Sequence, residues 1–297
     1  MNIITKIKNR YNLFKDNPLT EKYPLVHFLK YGILNVKFLF TESVEMNWIA
    51  DLKLSIRKGD AGIIGNYYFG LYEFEESIFL LHVSRKEDIF FDIGANLGHF
   101  SLLLSGVRKL KSVAVEPVPN TFNRLKMLID FNNLGHLIDS RNLGVSDKSG
   151  ELFFSTDKGT MNGIVDEKYK NKVSVKVLKI DELYNEAPVL LKIDVEGYEK
   201  FALSGAKNIL SNHKLKIIIM ELNGSGNKIG ISDNEVYEQI IHYGFKPYKY
   251  DPFKRHIIEL ESYNKNQFNT IFIRDLHTVN ERVQSSDKIK INNHFTI

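Results

Sequence analysis

The chain has 297 residues, no cysteine and a formal net charge of +4. The missing cysteines exclude disulfides, thiolate zinc sites and a cysteine nucleophile. Hydrophobic residues at 43% suffice for a sizeable core. No apolar run reaches the roughly 20 residues that span a bilayer, and the charge is too mild to indicate a nucleic-acid partner, which calls for a clustered basic face.

In chain order, residues 1–58 read as an N-terminal extension of short helices interrupted by Pro18 and Pro24. Ile3, Ile4, Ile7, Tyr11 and Phe14 share one helical face, with Lys6, Lys8, Arg10 and Lys15 around it. Such a face either packs on the main domain or makes a peripheral contact with a membrane or a partner. The basic N-terminus lacks the apolar centre and cleavage site of a signal peptide, so a cytoplasmic location is expected.

Residues 59–275 read as one α/β domain. Apolar strands are predicted over 88–93, 112–116, 137–145, 189–193 and 216–220, with a hairpin-like excursion through 174–178. Helical patterns fall between them: Phe122, Leu125, Leu128 and Ile129; Phe201, Ala202, Ala206, Ile209 and Leu210; Val236, Ile240 and Ile241. This alternation predicts a doubly wound, mostly parallel, seven-stranded sheet covered on both faces. Residues 245–250, 257–260 and 270–273 read as an antiparallel edge, and residues 276–297 as a C-terminal tail of which about 285–297 is expected to be loosely held.

Ligands of open α/β sheets bind outside the carboxyl ends of the strands. Four predicted strands end in or lead into an acid there: Asp92, Glu116, Asp194 and Glu221. Helix N-termini favour acids, which accounts for one or two of them. After the first strand comes Gly94-x-Asn96-x-Gly98, a turn that brings backbone close to a ligand. Glu116, at the end of the next strand, suits the two hydroxyls of a ribose. The turn is not G-x-G-x-x-G, so the spacing for a dinucleotide pyrophosphate is missing. Asp92 is badly placed beside a pyrophosphate and well placed beside the cationic sulfonium of S-adenosylmethionine.

At these residues the chain resembles the FkbM family of class I methyltransferases. The matching runs are 91–101 with Asp92, Gly94, Asn96 and Gly98; 113–119 with Glu116; and 191–199 with Asp194, followed by Ser204-Gly205-Ala206. The resemblance implies a Rossmann-like methyltransferase domain over 59–275, acting on hydroxyls of sugars, polysaccharides or secondary metabolites. It implies that Asp92, Gly94, Asn96 and Gly98 surround the methionine part of S-adenosylmethionine and that Glu116 holds its ribose. Ser146 and Asp147, within 144–147, would edge the adenine. The segment 66–73, with Tyr68 and Glu73, would close over the cofactor.

An alcohol acceptor needs a base, and Asp194 is the first candidate, with His99 behind it. Alternatively Asp194, Glu196 and Glu221 gather a divalent ion such as Mg²⁺, or Asp194 and Glu196 merely cap the following helix. Lys192 is expected to face away from Asp194 and to be structural. The polar run 160–163 suits an acceptor loop. The expected partner is a sugar or glycan. Two other classes stay open: a non-catalytic S-adenosylmethionine-binding module of a biosynthetic assembly, and an NAD-dependent dehydrogenase, whose hydride-relay residue cannot be located.

Overall fold

Proline at a first helical turn, period-two burial in short strands and apolar runs bounded by glycine fix most of the elements seen in the computed structural model. It describes residues 3–157, 159, 162–292 and 295–297. The predicted acceptor loop falls partly outside these, at Thr160 and Met161. The chain divides into two compact units, residues 1–74 with 288–297 and residues 75–287.

The first unit starts with helices α1 (Ile3–Lys15) and α2 (Pro24–Lys37), the latter opened by a proline whose missing N–H costs nothing there. Phe14 of α1 is fully buried, with Tyr31, Tyr68 and Phe69 rings 5.4–6.4 Å away. Where mainly short helices were expected, strands β1 (Ser43–Asn47) and β2 (Lys53–Arg57) form an antiparallel hairpin. Its signal is period two, with Leu54 and Ile56 buried between exposed Lys53 and Arg57. Helix α3 (Ala61–Phe69) follows.

The second unit holds the large sheet. Helix α4 (Phe74–Val83) leads to strand β3 (Ile89–Ile93), α5 (His99–Val107), β4 (Lys111–Val115), α6 (Pro119–Phe131) and β5 (Ile138–Arg141). The chain then leaves this sheet for a smaller one made of β6 (Gly144–Val145), β7 (Gly150–Ser155), β8 (Ile164–Val165) and β9 (Lys172–Leu178), in the order β6-β9-β7-β8. The strand predicted over 137–145 is therefore two strands in two sheets. They part at Asn142, whose amide donates to the Glu116 and Pro117 carbonyls.

Strand β10 (Leu190–Ile193) returns to the large sheet, followed by α7 (Glu199–Ser204), α8 (Lys207–Ser211), β11 (Ile217–Glu221), α9 (Asp233–His242), β12 (Lys246–Asp251), β13 (His256–Glu259) and β14 (Asn269–Ile273). The order is β13-β12-β14-β11-β10-β3-β4-β5. The sheet thus has eight strands rather than seven: five run parallel, and β12, β13 and β14 form the antiparallel edge. The fold is the doubly wound, Rossmann-like α/β class. The C-terminal tail carries regular structure, also within 285–297 where little pattern was expected. Helix α10 (Leu276–Gln284) buries Val279 and Val283, and strands β15 (Lys290–Asn292) and β16 (Phe295–Thr296) pair in the first unit.

Alternate strand residues serve opposite faces. Phe91, Ile93, Leu191, Ile193 and Ile218 join Ala202, Leu203, Val236 and Ile240 of α7 and α9 in one buried cluster. Asp92 and Lys192, paired in register, belong to the other face. The helix predicted after β10 breaks at Gly205, where an added Cβ would land on the Ser146 carbonyl oxygen and stand 3.3 Å from Lys179 Cα. Gly205→Ala should therefore cost about 2–3 kcal/mol, the range of overpacking against immovable backbone. Urea unfolding of the two proteins measures it, and equal midpoints would contradict the contact.

Candidate active site

Chain order reverses between β3 and β10: β4 and β5 lie beyond β3, β11 beyond β10. At such a switch point the loops leaving the carboxyl ends diverge and open a crevice. After β3, Gly94 (φ +79°), Asn96 (φ +51°) and Gly98 (φ +80°) all take left-handed backbone, so the chain coils tightly before α5. The Gly94 and Ala95 amides both donate to the Val115 carbonyl, at 3.0 and 2.9 Å, which ties this loop to β4. A Cβ on Gly94 would fall on the Asp194 carbonyl oxygen, so the loops after β3 and β10 touch backbone to backbone.

The crevice opens at this switch point, where small-molecule sites of α/β sheets form. Gly94, Asn96 and Glu116 form one side, Asp194, Glu196 and Tyr198 another, and Phe154, Asn162 and Ile164 of the smaller sheet and its connections a wall. Glu116 accepts from the Asn96 amide through Oε2 at 3.0 Å and from the Val118 amide through Oε1 at 2.9 Å. Burial, the largest influence, pushes it up to about 7 against those two bonds. Asp92 lies deeper. Its Oδ2 accepts from the Ser101 amide (3.1 Å) and hydroxyl (2.6 Å), and burial raises its pKa above the ordinary value. Asn96 Oδ1 is buried with no partner among the described residues, an unmet acceptor of the kind a ligand satisfies.

Lys192 corrects the sequence reading. Residues two apart in a strand share a face, and Lys192 Nζ lies 2.7 Å from Asp194 Oδ2, with the lysine side chain only 4% exposed. Its ammonium also lies 5.3 Å from the centre of the Phe100 ring. Glu221 has its pKa raised by burial first and by the neighbouring Asp194 charge second. Glu196 is held in left-handed backbone (φ +54°) and raised by burial and then by Asp194. Glu199 staples the loop: its Oε1 accepts from the Gly197 and Val195 amides at 3.0 and 3.3 Å.

Residues 92–247 match the model of the Methyltransferase FkbM domain, more than half of the chain. The chain belongs to the FkbM methyltransferase family. It is 30% identical over 147 residues to the hexuronic acid methyltransferase AglP of Haloferax volcanii, a match covering 48% of this chain and 59% of that protein. The chain thus spans less than two thirds of this relative. The methyltransferase FkbM of Methylobacillus flagellatus KT is similar at 15% identity and TM-score 0.45, covering 73% of this chain and 55% of that one. A TehB-like SAM-dependent methyltransferase of Corynebacterium glutamicum is similar at 11% identity and TM-score 0.40, covering 72% and 93%.

Of the positions singled out from the FkbM motifs, Gly94, Asn96, Glu116, Asp194 and Glu196 line the crevice together, with Gly144 and Val145. Asp92 and Gly98 support it from behind, Gly98 with Leu125 against the place a Cβ would take. Ser146 and Asp147 are not among the lining residues; Ser146 Oγ donates to Asp147 Oδ1 at 3.0 Å and is hydrogen-bonded to Tyr198. His99 is buried outside the lining, Nε2 2.9 Å from Ser77 Oγ. Tyr68 and Glu73 belong to the first unit, where Tyr68 joins the aromatic cluster around Phe14. Asp194, Glu196 and Glu221 do not form a metal-ligand set. Among the described residues no three His, Cys, Asp or Glu side chains are placed to hold an ion, and Lys192 lies on one Asp194 oxygen.

Thr121, Phe154 and Ile164 also line the crevice, and nothing in the sequence marked them, since they come from α6 and the smaller sheet; Tyr198, another lining residue, lies within the matching run 191–199. Burial pushes Glu199 up to about 7 from an ordinary 4.5. The folded state holds that proton more tightly, so stability falls as pH rises from about 4.5 through about 7. Glu199→Gln keeps the accepting Oε1 and removes the charge. Its stability, followed by thermal melting, should gain on the parent protein's between about pH 4.5 and about pH 7, at up to roughly 1.4 kcal/mol per pH unit, and level off above. A pH-independent difference would mean that Glu199 is already ionised at the lower end.

Proposed function

We propose that the chain is an S-adenosylmethionine-dependent O-methyltransferase acting on a hydroxyl of a sugar, polysaccharide or glycosylated metabolite. One observation carries the reading. A carboxylate held by a buried lysine, Asp194, faces the same crevice as a glycine loop anchored to Glu116.

The residues fit the cofactor. Each Glu116 oxygen accepts one backbone bond and keeps a lone pair for a ribose hydroxyl. The unmet Asn96 Oδ1 lines the crevice and accepts from a bound amine. Glu116, Asp194 and Glu196 line it with carboxyl groups, a field that favours a cationic ligand over a pyrophosphate. When bound, S-adenosylmethionine supplies an electrophilic methyl group on a sulfonium that leaves as a neutral thioether.

The rest falls to the protein. The Gly94 and Gly98 turns and the Glu116 anchor would fix the donor, and alignment of donor with acceptor supplies much of the rate. Asp194 would take the acceptor hydroxyl's proton. Lys192 on one oxygen and Glu221 beside it keep the carboxylate from rotating away. The match to a hexuronic acid methyltransferase supports a sugar acceptor, as does the Phe154 and Tyr198 lining, whose aromatic faces suit sugar rings.

Calorimetry should show S-adenosylmethionine binding at micromolar affinity, no NAD binding, and an affinity loss of about tenfold or more for Glu116→Ala, which removes two charge-assisted acceptors. Asp194→Asn should bind the cofactor normally yet lose about 10²–10⁴ in turnover on a glycan acceptor. NAD binding would end the methyltransferase reading. Full activity in Asp194→Asn would remove that residue as the base.

A further inference from the structure

Helix α2 has one side that the fold uses and one that it leaves bare. On the inward side Leu34 is fully buried, His27 Nδ1 lies 2.8 Å from the Tyr68 carbonyl, and the Tyr31 ring sits 5.3 Å from that of Tyr68. At about 100° per residue, Leu25, Leu29, Ile33 and Val36 fall together on the opposite side, continued by Phe40 in the turn that closes the helix. Each of these five is more than half exposed. A surface helix ordinarily turns polar residues to water, and a contiguous apolar patch of this kind marks a binding surface. A shallow apolar groove runs along it between Phe28, Tyr31 and Phe40.

Charge identifies the occupant. Lys30 and Lys37 border the apolar arc, both exposed. Residues 1–40 carry seven lysines and arginines against Asp16 and Glu21. A second copy of the chain meeting this face through a two-fold axis would bring the same cations against themselves, whereas anionic headgroups complement them. At 14 residues the helix is about 21 Å long, and no helix among the described residues is long and apolar enough to cross a membrane. It can lie in an interface but not span one.

We propose that this face of the first unit docks on an anionic lipid surface. Helix α2 lies in the interfacial plane, with Leu29, Ile33 and Val36 entering the acyl boundary and Lys30 and Lys37 meeting headgroup phosphates. The reading is independent of the chemistry proposed for the crevice.

Co-sedimentation of the full chain with phosphatidylglycerol–phosphatidylcholine vesicles tests it, beside vesicles of phosphatidylcholine alone. Binding should be about tenfold or more tighter to the anionic vesicles and should weaken with salt. Leu29→Glu with Ile33→Glu should abolish it, and Lys30→Glu with Lys37→Glu should weaken it by about tenfold or more, both with unchanged far-UV circular dichroism because the substituted side chains are exposed. Failure to bind anionic vesicles, or equal binding by all variants, would overturn the proposal. So would a dimer, seen by light scattering, that Leu29→Glu with Ile33→Glu dissociates, since the face would then belong to a second copy.

Discussion

The Lys192 ammonium lies 2.7 Å from Asp194, on the strand face it shares with Asp92, and the acidity of the crevice depends on it. Asp92, Glu116, Glu196 and Glu221 all have their pKa raised by burial. A carboxylate taken out of water is costly unless paired, and a cation at the middle of the sheet lowers that cost for Asp92, Glu196 and Glu221 at once. Glu116 and Glu199 are served differently, by backbone amides. The crevice therefore combines two ways of holding a buried acid, one by a fixed charge and one by loop dipoles.

The same arrangement explains why the loops are shaped as they are. Left-handed turns around Asn96 and at Glu196 and Gly197 aim the Asn96 amide at Glu116 and the Gly197 amide at Glu199. An extended loop would point alternate amides to water and leave those carboxyls unmet. The buried Asn96 Oδ1, without a partner among the described residues, is the exception, and it is the group on which the proposed cofactor would act.

How far the sequence revealed this varied with the length of each pattern. Strands β3, β10 and β11 were legible because burial on both faces leaves uninterrupted apolar runs, and the acids at their ends followed. Lys192 was misread although the signal was present: positions 192 and 194 are two apart and must share a face. The smaller sheet was scarcely legible, since β6 and β8 are two residues each and too short to show a period. The break at Gly205 depends on a partner distant in the chain, Ser146, which no local pattern names.

The contact between Gly94 and the Asp194 carbonyl has a consequence for how this domain can change. Most contacts between loops are made by side chains, so a change on one side can be rescued by a change on the other. Here one partner is a hydrogen atom and the other a peptide oxygen that every residue type carries. No replacement at position 194 alters that oxygen, so no replacement there makes room for a side chain at position 94. The coupling of the two loops therefore leaves no pair of compensating side chains, and a change of specificity that keeps this contact must come through side chains elsewhere in the lining, such as Ile164.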